Sequence, residues 1–326
     1  MRKYNILVTG VGAIIGYGII ASLRKSKYDC NIIGMDVFYD AAGQVWCDKF
    51  VQAIYAADKE YIPFLKKVID KYEIDLVFFG TEQEIKKCYE SQEMLGGYYK
   101  KLVINKKNLI ELTEDKWETT RFLKENGLKY IPSSVTASFE EAKDEFGLPL
   151  LMKPRRSYAS KGICKVNTKA TFDSWKDEYA DQFMVQKFVG DSEHEYTVAT
   201  FGFGDGSCIK PIVMRRKLSK AGATDKAVVM PIPEIESEIR EMVKVLKPLG
   251  PTNFQFRLEK EQFLLLEINP RISSSTSIRT AFGYNEAEMC IDYFVEGIRP
   301  ADVELKTGRA YRYIADVVEY DDSSNI

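Results

Sequence analysis

Residues 253–275 read NFQFRLEKEQFLLLEINPRISSS. Two apolar-rich runs flank the polar segment Glu-Lys-Glu-Gln, and the second ends on a Glu-x-Asn-Pro-Arg cluster, where a core strand would ordinarily exclude charge. Side chains alternate along a strand, so Phe254, Phe256 and Leu258 share one face, opposite Asn253, Gln255 and Arg257. On the return strand the same rule puts Leu264, Leu266 and Ile268 on the apolar face and Leu265, Glu267 and Asn269 on the other. A turn centred on Glu261 sets Gln255 across from Glu267 and Asn253 across from Asn269. The leucines thus hold the hairpin down while a carboxylate and amides point elsewhere. One carboxylate with side-chain amides suits Mg²⁺, which keeps several waters and shares its remaining sites with phosphates. Pro270 ends the ladder and lets Arg271 turn toward the same spot. The plainer alternative is a surface hairpin with a solvated polar face.

Working outward, Tyr4–Thr9, Asn31–Met35 and Asp75–Phe79 read as strands, with Leu102–Ile104 as a fourth. Helical patterns lie over Ile14–Leu23 and Tyr61–Tyr72. Strands alternating with helices predict a parallel, doubly wound sheet for residues 1–105. The texture then changes. A helix is expected over Asp115–Asn126, and strands over Leu148–Lys153, Phe183–Gln186 and Tyr196–Gly202. A further helix covers Ile235–Leu246, closed by a Pro-Leu-Gly-Pro turn, and the hairpin follows. The fold class is therefore α/β followed by α+β.

The chain has 326 residues, 45% hydrophobic and 29% charged, with a formal net charge of -2. That balance gives no electrostatic case for nucleic acid or an anionic membrane as partner. Six scattered cysteines without a C-x-x-C pair, and His194 as the one histidine, argue against zinc or haem. No stretch approaches a membrane span in length. A soluble, cytoplasmic protein is the expectation.

Gly10-Val-Gly12-Ala-Ile-Ile-Gly16 follows a strand and opens a helix, and Asp36 closes the second strand, as in a dinucleotide site. The NAD(P)-dependent oxidoreductase this would imply competes with a bland reading in which the glycines only permit a tight turn. Gly80-Thr-Glu-Gln-Glu84, after the third strand, is a second candidate ligand edge. Lys153 ends an apolar strand and leads into the basic, hydroxyl-rich loop 155–162, a combination suited to gripping phosphates. Lys116 starts a helix. Gln186-Lys-Phe-Val189 lies at a strand end, where backbone groups can read an adenine edge, with Glu193 or Glu195 for ribose hydroxyls.

Taken in order, these pieces resemble the ATP-grasp superfamily, above all the carbamoyl-phosphate synthetase large chain and the smaller amino-acid ligases of the pyrrolysine-biosynthesis kind. The resemblance is strongest over residues 253–297. It implies an ATP-grasp fold with a pre-ATP-grasp, Rossmann-like domain at 1–105, a small subdomain with a lid loop at 106–184 and a large subdomain at 185–326. It implies ATP and Mg²⁺ as cofactors, with Gln255, Glu267 and Asn269 as metal ligands and Arg271 neutralising the transferring phosphoryl group. Lys116 and Lys153 would contact phosphates, Ser160, Lys161 and Gly162 would belong to the lid, and Gln186, Lys187, Phe188 and Val189 would form the adenine hinge. Glu195 would take the ribose, and Arg215 or Arg216 would face the substrate carboxylate. Gln186 stands where the family more often has glutamate, and Ser157-Tyr-Ala where relatives tend to have glycines. The activity implied is carboxylate–amine (or carboxylate–thiol) ligation through an acyl phosphate, on small-molecule acid and amine substrates; a homodimer is common among such proteins. A nucleotide-binding module without catalysis is the other alternative.

Overall fold

The computed structural model describes residues 2–157, 162–180, 182–220 and 222–318. Among these, fourteen strands form three sheets. The first is parallel, in the order β3-β2-β1-β4, built from β1 (Lys3–Thr9), β2 (Asp29–Asp36), β3 (Lys49–Gln52) and β4 (Leu76–Phe78). Helices α1 (Ile14–Leu23), α2 (Tyr61–Lys71) and α3 (Glu82–Glu90) connect or follow these strands. Ile6, Leu7, Val8, Ile32, Ile33, Val77 and Phe78 are fully buried, as both faces of a parallel sheet require. The fourth strand differs from the sequence reading. Leu102 makes one isolated bridge to Val77, beside β4, while a strand not read from the sequence, Lys49–Gln52, forms the opposite edge beside β2.

The second sheet has four strands: β5 (Ser133–Ser134), β6 (Leu150–Pro154), β7 (Cys164–Val166) and β8 (Phe183–Lys187), in the order β5-β8-β6-β7. The third has six: β9 (Glu195–Phe203), β10 (Ile212–Leu218), β11 (Thr224–Val229), β12 (Leu249–Glu259), β13 (Gln262–Asn269) and β14 (Gly308–Tyr311), in the order β13-β12-β9-β10-β11-β14. Both are antiparallel. The Pro-Leu-Gly-Pro segment expected as a turn is largely the start of β12, paired to β9 from Leu249 onward.

The hairpin β12–β13 turns on Lys260 and Glu261, both at positive φ, which a two-residue turn between twisted strands demands. Phe254, Phe256, Leu265 and Ile268 pack against Ile235, Ile239, Met242 and Val243 of the helix Pro233–Leu246. Burying each such side chain stabilises the fold by about 1.5–3 kcal/mol. The alternation expected along β13 breaks at Leu266. Gln255 pairs with Glu267, but Phe256 pairs with Leu265, so Leu266 is an extra residue in a β-bulge. The bulge puts Leu265 in the core, contrary to simple alternation, and leaves Leu266 lining a cleft.

Candidate active site

That cleft, of about 490 Å³, lies between all three sheets. Its volume falls in the range of small-molecule sites. The hairpin supplies Asn253, Gln255, Arg257, Glu267 and Asn269, and the β6–β8 sheet supplies Leu151, Lys153 and Gln186. Arg216 enters from β10, and Ile14, Ile15, Thr81 and Glu82 come from the carboxyl edge of the parallel sheet. The register sets Gln255 opposite Glu267 and Asn253 opposite Asn269, the pairing read from alternation.

Three arginines fix the amides. Arg216 Nη2 donates to Gln255 Oε1 at 2.8 Å, Arg271 Nη2 to Asn269 Oδ1 at 3.0 Å, and Arg279 Nη2 to Asn253 Oδ1 at 2.5 Å. A guanidinium only donates, so each amide must turn its oxygen toward its arginine. Asn269 Nδ2 is left buried with no partner among the described residues. Glu267, half-buried, likewise has no ion-pair or hydrogen-bond partner among them. Arg271 also binds the parallel-sheet side, with its Nε 3.1 Å from Glu82 Oε1.

Lys153 is 5% exposed. Burial, reinforced by the charge of Lys116 and opposed by Glu267, pushes its ammonium from the usual 10.5 down to about 8. Lys116 is also pushed down by burial, against the pull of Glu267, Glu82 and Asp115. It opens the helix Lys116–Glu125, whose N-cap Asp115 accepts from Trp117 N and Glu118 N and is paired to Arg155 at 2.7 Å. Lys116 Nζ donates to Ser157 O at 2.9 Å. A cleft with two ammonium groups and one uncommitted carboxylate suits an anion that carries a cation with it.

The hinge residues divide. Gln186 is buried, its Nε2 donating to Ser133 Oγ at 2.9 Å, and its Oε1 is buried without a partner among the described residues. Lys187, Phe188 and Val189 follow but do not line the cleft. Lys187 N bonds Pro132 O at 3.0 Å, and Val189 is buried. Gly162 sits at φ +75, where a Cβ would come within 2.7 Å of Pro154 Cγ, so the loop's end requires glycine. Ser160 and Lys161 lie outside the described residues.

Of the two arginines on β10, Arg215 is exposed and Arg216 faces the cleft. Glu195 lines the cleft as well, with its carboxylate already engaged. It is buried, one oxygen accepting from Arg216 Nη2 at 2.8 Å and the other from Arg257 Nη2 at 3.1 Å. The Nε and Nη2 groups of both arginines donate to Glu195, four hydrogen bonds on a carboxylate with about four acceptor sites. Glu193, two residues earlier, is exposed and pairs with Lys217 at 2.9 Å.

The glycine-rich start is closed on itself. Asp36 Oδ2 accepts from Gly12 N at 2.8 Å and Oδ1 from Phe38 N at 3.1 Å, which engages the carboxylate a dinucleotide ribose would need. The 3₁₀ turn Ala42–Trp46 sits on the loop so closely that a Cβ on Gly43 would lie 1.9 Å from Val11 O. The second ligand edge is better placed. Buried Glu84 accepts from the hydroxyls of Thr9, Thr81 and Tyr61, which holds Thr81 at the cleft rim. Burial raises the Glu84 carboxyl, and those hydroxyls pull it back. Sequence reasoning put Glu82 in the candidate ligand edge 80–84 and Arg257 on the polar face of the hairpin by its parity with Gln255, without a specific role for either. Arg279 was missed, since a lone arginine in a helix carries no such signal.

Residues 180–317 match a family model described as ATP-grasp in the biosynthetic pathway with Ter operon. The carbamoyl phosphate synthase large chain of Thermotoga sp. (strain RQ2) is 26% identical over 234 residues, covering 62% of this chain and 21% of that protein. The chain thus spans about a fifth of the length of that relative. In structure it is similar to an N5-carboxyaminoimidazole synthetase from Staphylococcus aureus complexed with ADP, with TM-score 0.71 and 18% identity over 93% of this chain and 81% of the other. It is also similar to a biotin carboxylase–β,γ-ATP complex from Campylobacter jejuni, with TM-score 0.73 and 15% identity over 94% and 74%. The chain is an ATP-grasp protein in fold, and in sequence it resembles carbamoyl phosphate synthase large chains.

Proposed function

We propose that the chain is an ATP- and Mg²⁺-dependent ligase joining a carboxylate to an amine through an acyl phosphate, with release of ADP and phosphate. The observation that carries this reading is Glu267, a carboxylate with no described partner, set opposite Gln255 and facing Lys116 and Lys153. The donor set fits a divalent cation. Gln255 and Asn269 oxygens each accept one arginine hydrogen and keep a lone pair, and Glu267 keeps its whole charge. Among the described residues no three His, Cys, Asp or Glu side chains converge, so such a cation would depend on phosphate oxygens to complete its shell. Bound there, Mg²⁺ would draw charge from the terminal phosphates.

The orphaned Gln186 oxygen fits the amino group of adenine, and Lys153 and Lys116 are placed to grip phosphates. Arg271 is positioned to neutralise the transferring phosphoryl group once it exchanges Glu82 for that anion, and Arg216 borders the acid. With Glu195 engaged by arginines, Glu193 is the candidate for the ribose. In this scheme residues 1–105 shape the acceptor side, 106–184 carry the lid, and 185–326 carry the hairpin. A carboxylate attacks the γ-phosphorus and ADP leaves. The amine then attacks the acyl carbon and phosphate leaves. Positioning and charge do the catalysis, with no protein nucleophile. The test is an ADP-release screen against pools of carboxylates and amines with Mg²⁺. Acid- and amine-dependent ADP release, lost in Lys153→Ala, is expected. Release that persists undiminished in both Lys153→Ala and Glu267→Gln would refute the reading.

A further inference from the structure

Behind the hairpin lies a charge pair for which the ligase chemistry has no direct use. Arg279 and Glu286 are both wholly buried, with Nη1 3.2 Å from Oε2. They belong to the helices Thr276–Ala281 and Glu286–Cys290, which follow β13. A buried ion pair seldom adds stability over an apolar pair of the same volume, so its presence calls for another account. Arg279 Nη2 donates to Thr197 Oγ1 at 3.0 Å as well as to Asn253 Oδ1 at 2.5 Å. Thr197 Oγ1 in turn donates to the same Asn253 oxygen at 2.7 Å.

These contacts determine the amide. Arginine has no acceptor, so Asn253 must present its oxygen to Arg279, and that oxygen accepts twice, which fills both lone pairs. The NH₂ is then the only part of the amide left for the cleft that Asn253 lines. We infer that Arg279, with Glu286 as its counter-ion, is a positioning residue that presents Asn253 Nδ2 as a hydrogen-bond donor to an oxyanion of the bound substrate. The inference rests on the ligase reading for what fills the cleft. It separates Asn253 from its neighbours on the same face. Gln255 and Asn269 keep a lone pair for a cation, whereas Asn253 can only donate, and so it meets a phosphate or carboxylate oxygen.

The experiment is calorimetric titration of the full chain with MgADP, followed by inorganic phosphate or, in a separate arm, acetate. Three variants are compared: Asn253→Asp, the double variant Arg279→Met/Glu286→Met, and their combination. Asn253→Asp keeps the shape and gives Arg279 a charged partner while turning the donor into an acceptor. The double variant removes both buried charges together, which such sites tolerate. Each should weaken oxyanion binding about tenfold or more relative to MgADP, the effect of a lost bond to a charged group. The combination should be no worse than Asn253→Asp alone, a non-additivity that a merely structural role would not produce. The arm that responds, phosphate or acetate, identifies which oxyanion the amide meets. Unchanged oxyanion affinity in Asn253→Asp overturns the donor role, and an effect confined to Asn253→Asp overturns the positioning role. Wild-type protein that binds MgADP but neither anion overturns the inference while leaving the nucleotide site intact. Wild-type protein that fails to bind MgADP sinks the ligase reading and this inference with it.

Discussion

On the proposed ligase reading, in which the cleft takes MgADP, raising the pH from 7 to 9 should loosen that binding through one side chain. Lys153 is 5% exposed at the end of β6, and burial together with the nearby charge of Lys116 brings its ammonium to about 8. Only the protonated form attracts phosphates. At pH 7 about nine-tenths of the free protein carries that charge, and at pH 9 about a tenth, so affinity should fall about tenfold across the window. Binding at pH 9 should take up about one proton, read by calorimetry in two buffers of different ionisation heat. The same shift has a consequence for stability, with a definite sign. The folded state releases this proton near 8 and the unfolded chain near 10.5, so between these values the unfolded state binds more protons and stability rises with pH. Below pH 8 the full penalty applies, about 3 kcal/mol for a shift of this size. Lys153→Met should therefore be more stable than wild type at pH 7, by denaturant titration, with the gap closing toward pH 10.5, while losing nucleotide affinity. Flat MgADP affinity from pH 7 to 9 with no proton uptake in the wild type would refute the reasoning.

Glu267→Gln should lower ADP release about 100-fold, the scale of removing a key charge from a phosphoryl-transfer site, without lowering the melting temperature of the nucleotide-free protein. Glu195→Gln removes the shared counter-ion of Arg216 and Arg257 and should cost about 3 kcal/mol in urea unfolding. Glu193→Gln, at an exposed pair, should change stability by less than about 0.5 kcal/mol; its measurable effect should be on ATP affinity. Gly43→Ala forces a methyl against Val11 O and should destabilise the protein by about 3 kcal/mol, visible as a lower urea midpoint.

The turn closes on Lys260 and Glu261, with Glu259 opposite Gln262, and the bulge at Leu266 shifts the register so that the pairing of Gln255 with Glu267 still holds. That pairing was legible, from alternation about a turn centred on Glu261. The bulge was not. Leu264, Leu265 and Leu266 suit either face equally, and only packing against the helix Pro233–Leu246 selects Leu265 for the core. The edge strand Lys49–Gln52 escaped notice because KFVQ is short and polar at both ends, while the apolar run at Leu102 suggested a strand that makes one bridge. The two glutamates of the Glu193-His-Glu195 segment look alike in sequence. They are told apart by arginines arriving from β10 and β12, at sequence distances of 21 and 62 residues. Arg279 reads as an ordinary helix-surface residue, and its burial follows from the sheet that closes over it.

The plug formed by Ala42–Trp46 bears on stoichiometry. Of the two crevices that a parallel sheet and a hairpin cleft would ordinarily offer, one is filled by the chain's own backbone. A nucleotide titration should therefore saturate at one equivalent per polypeptide, with no weaker second phase from the glycine loop, and a dinucleotide should not compete for it.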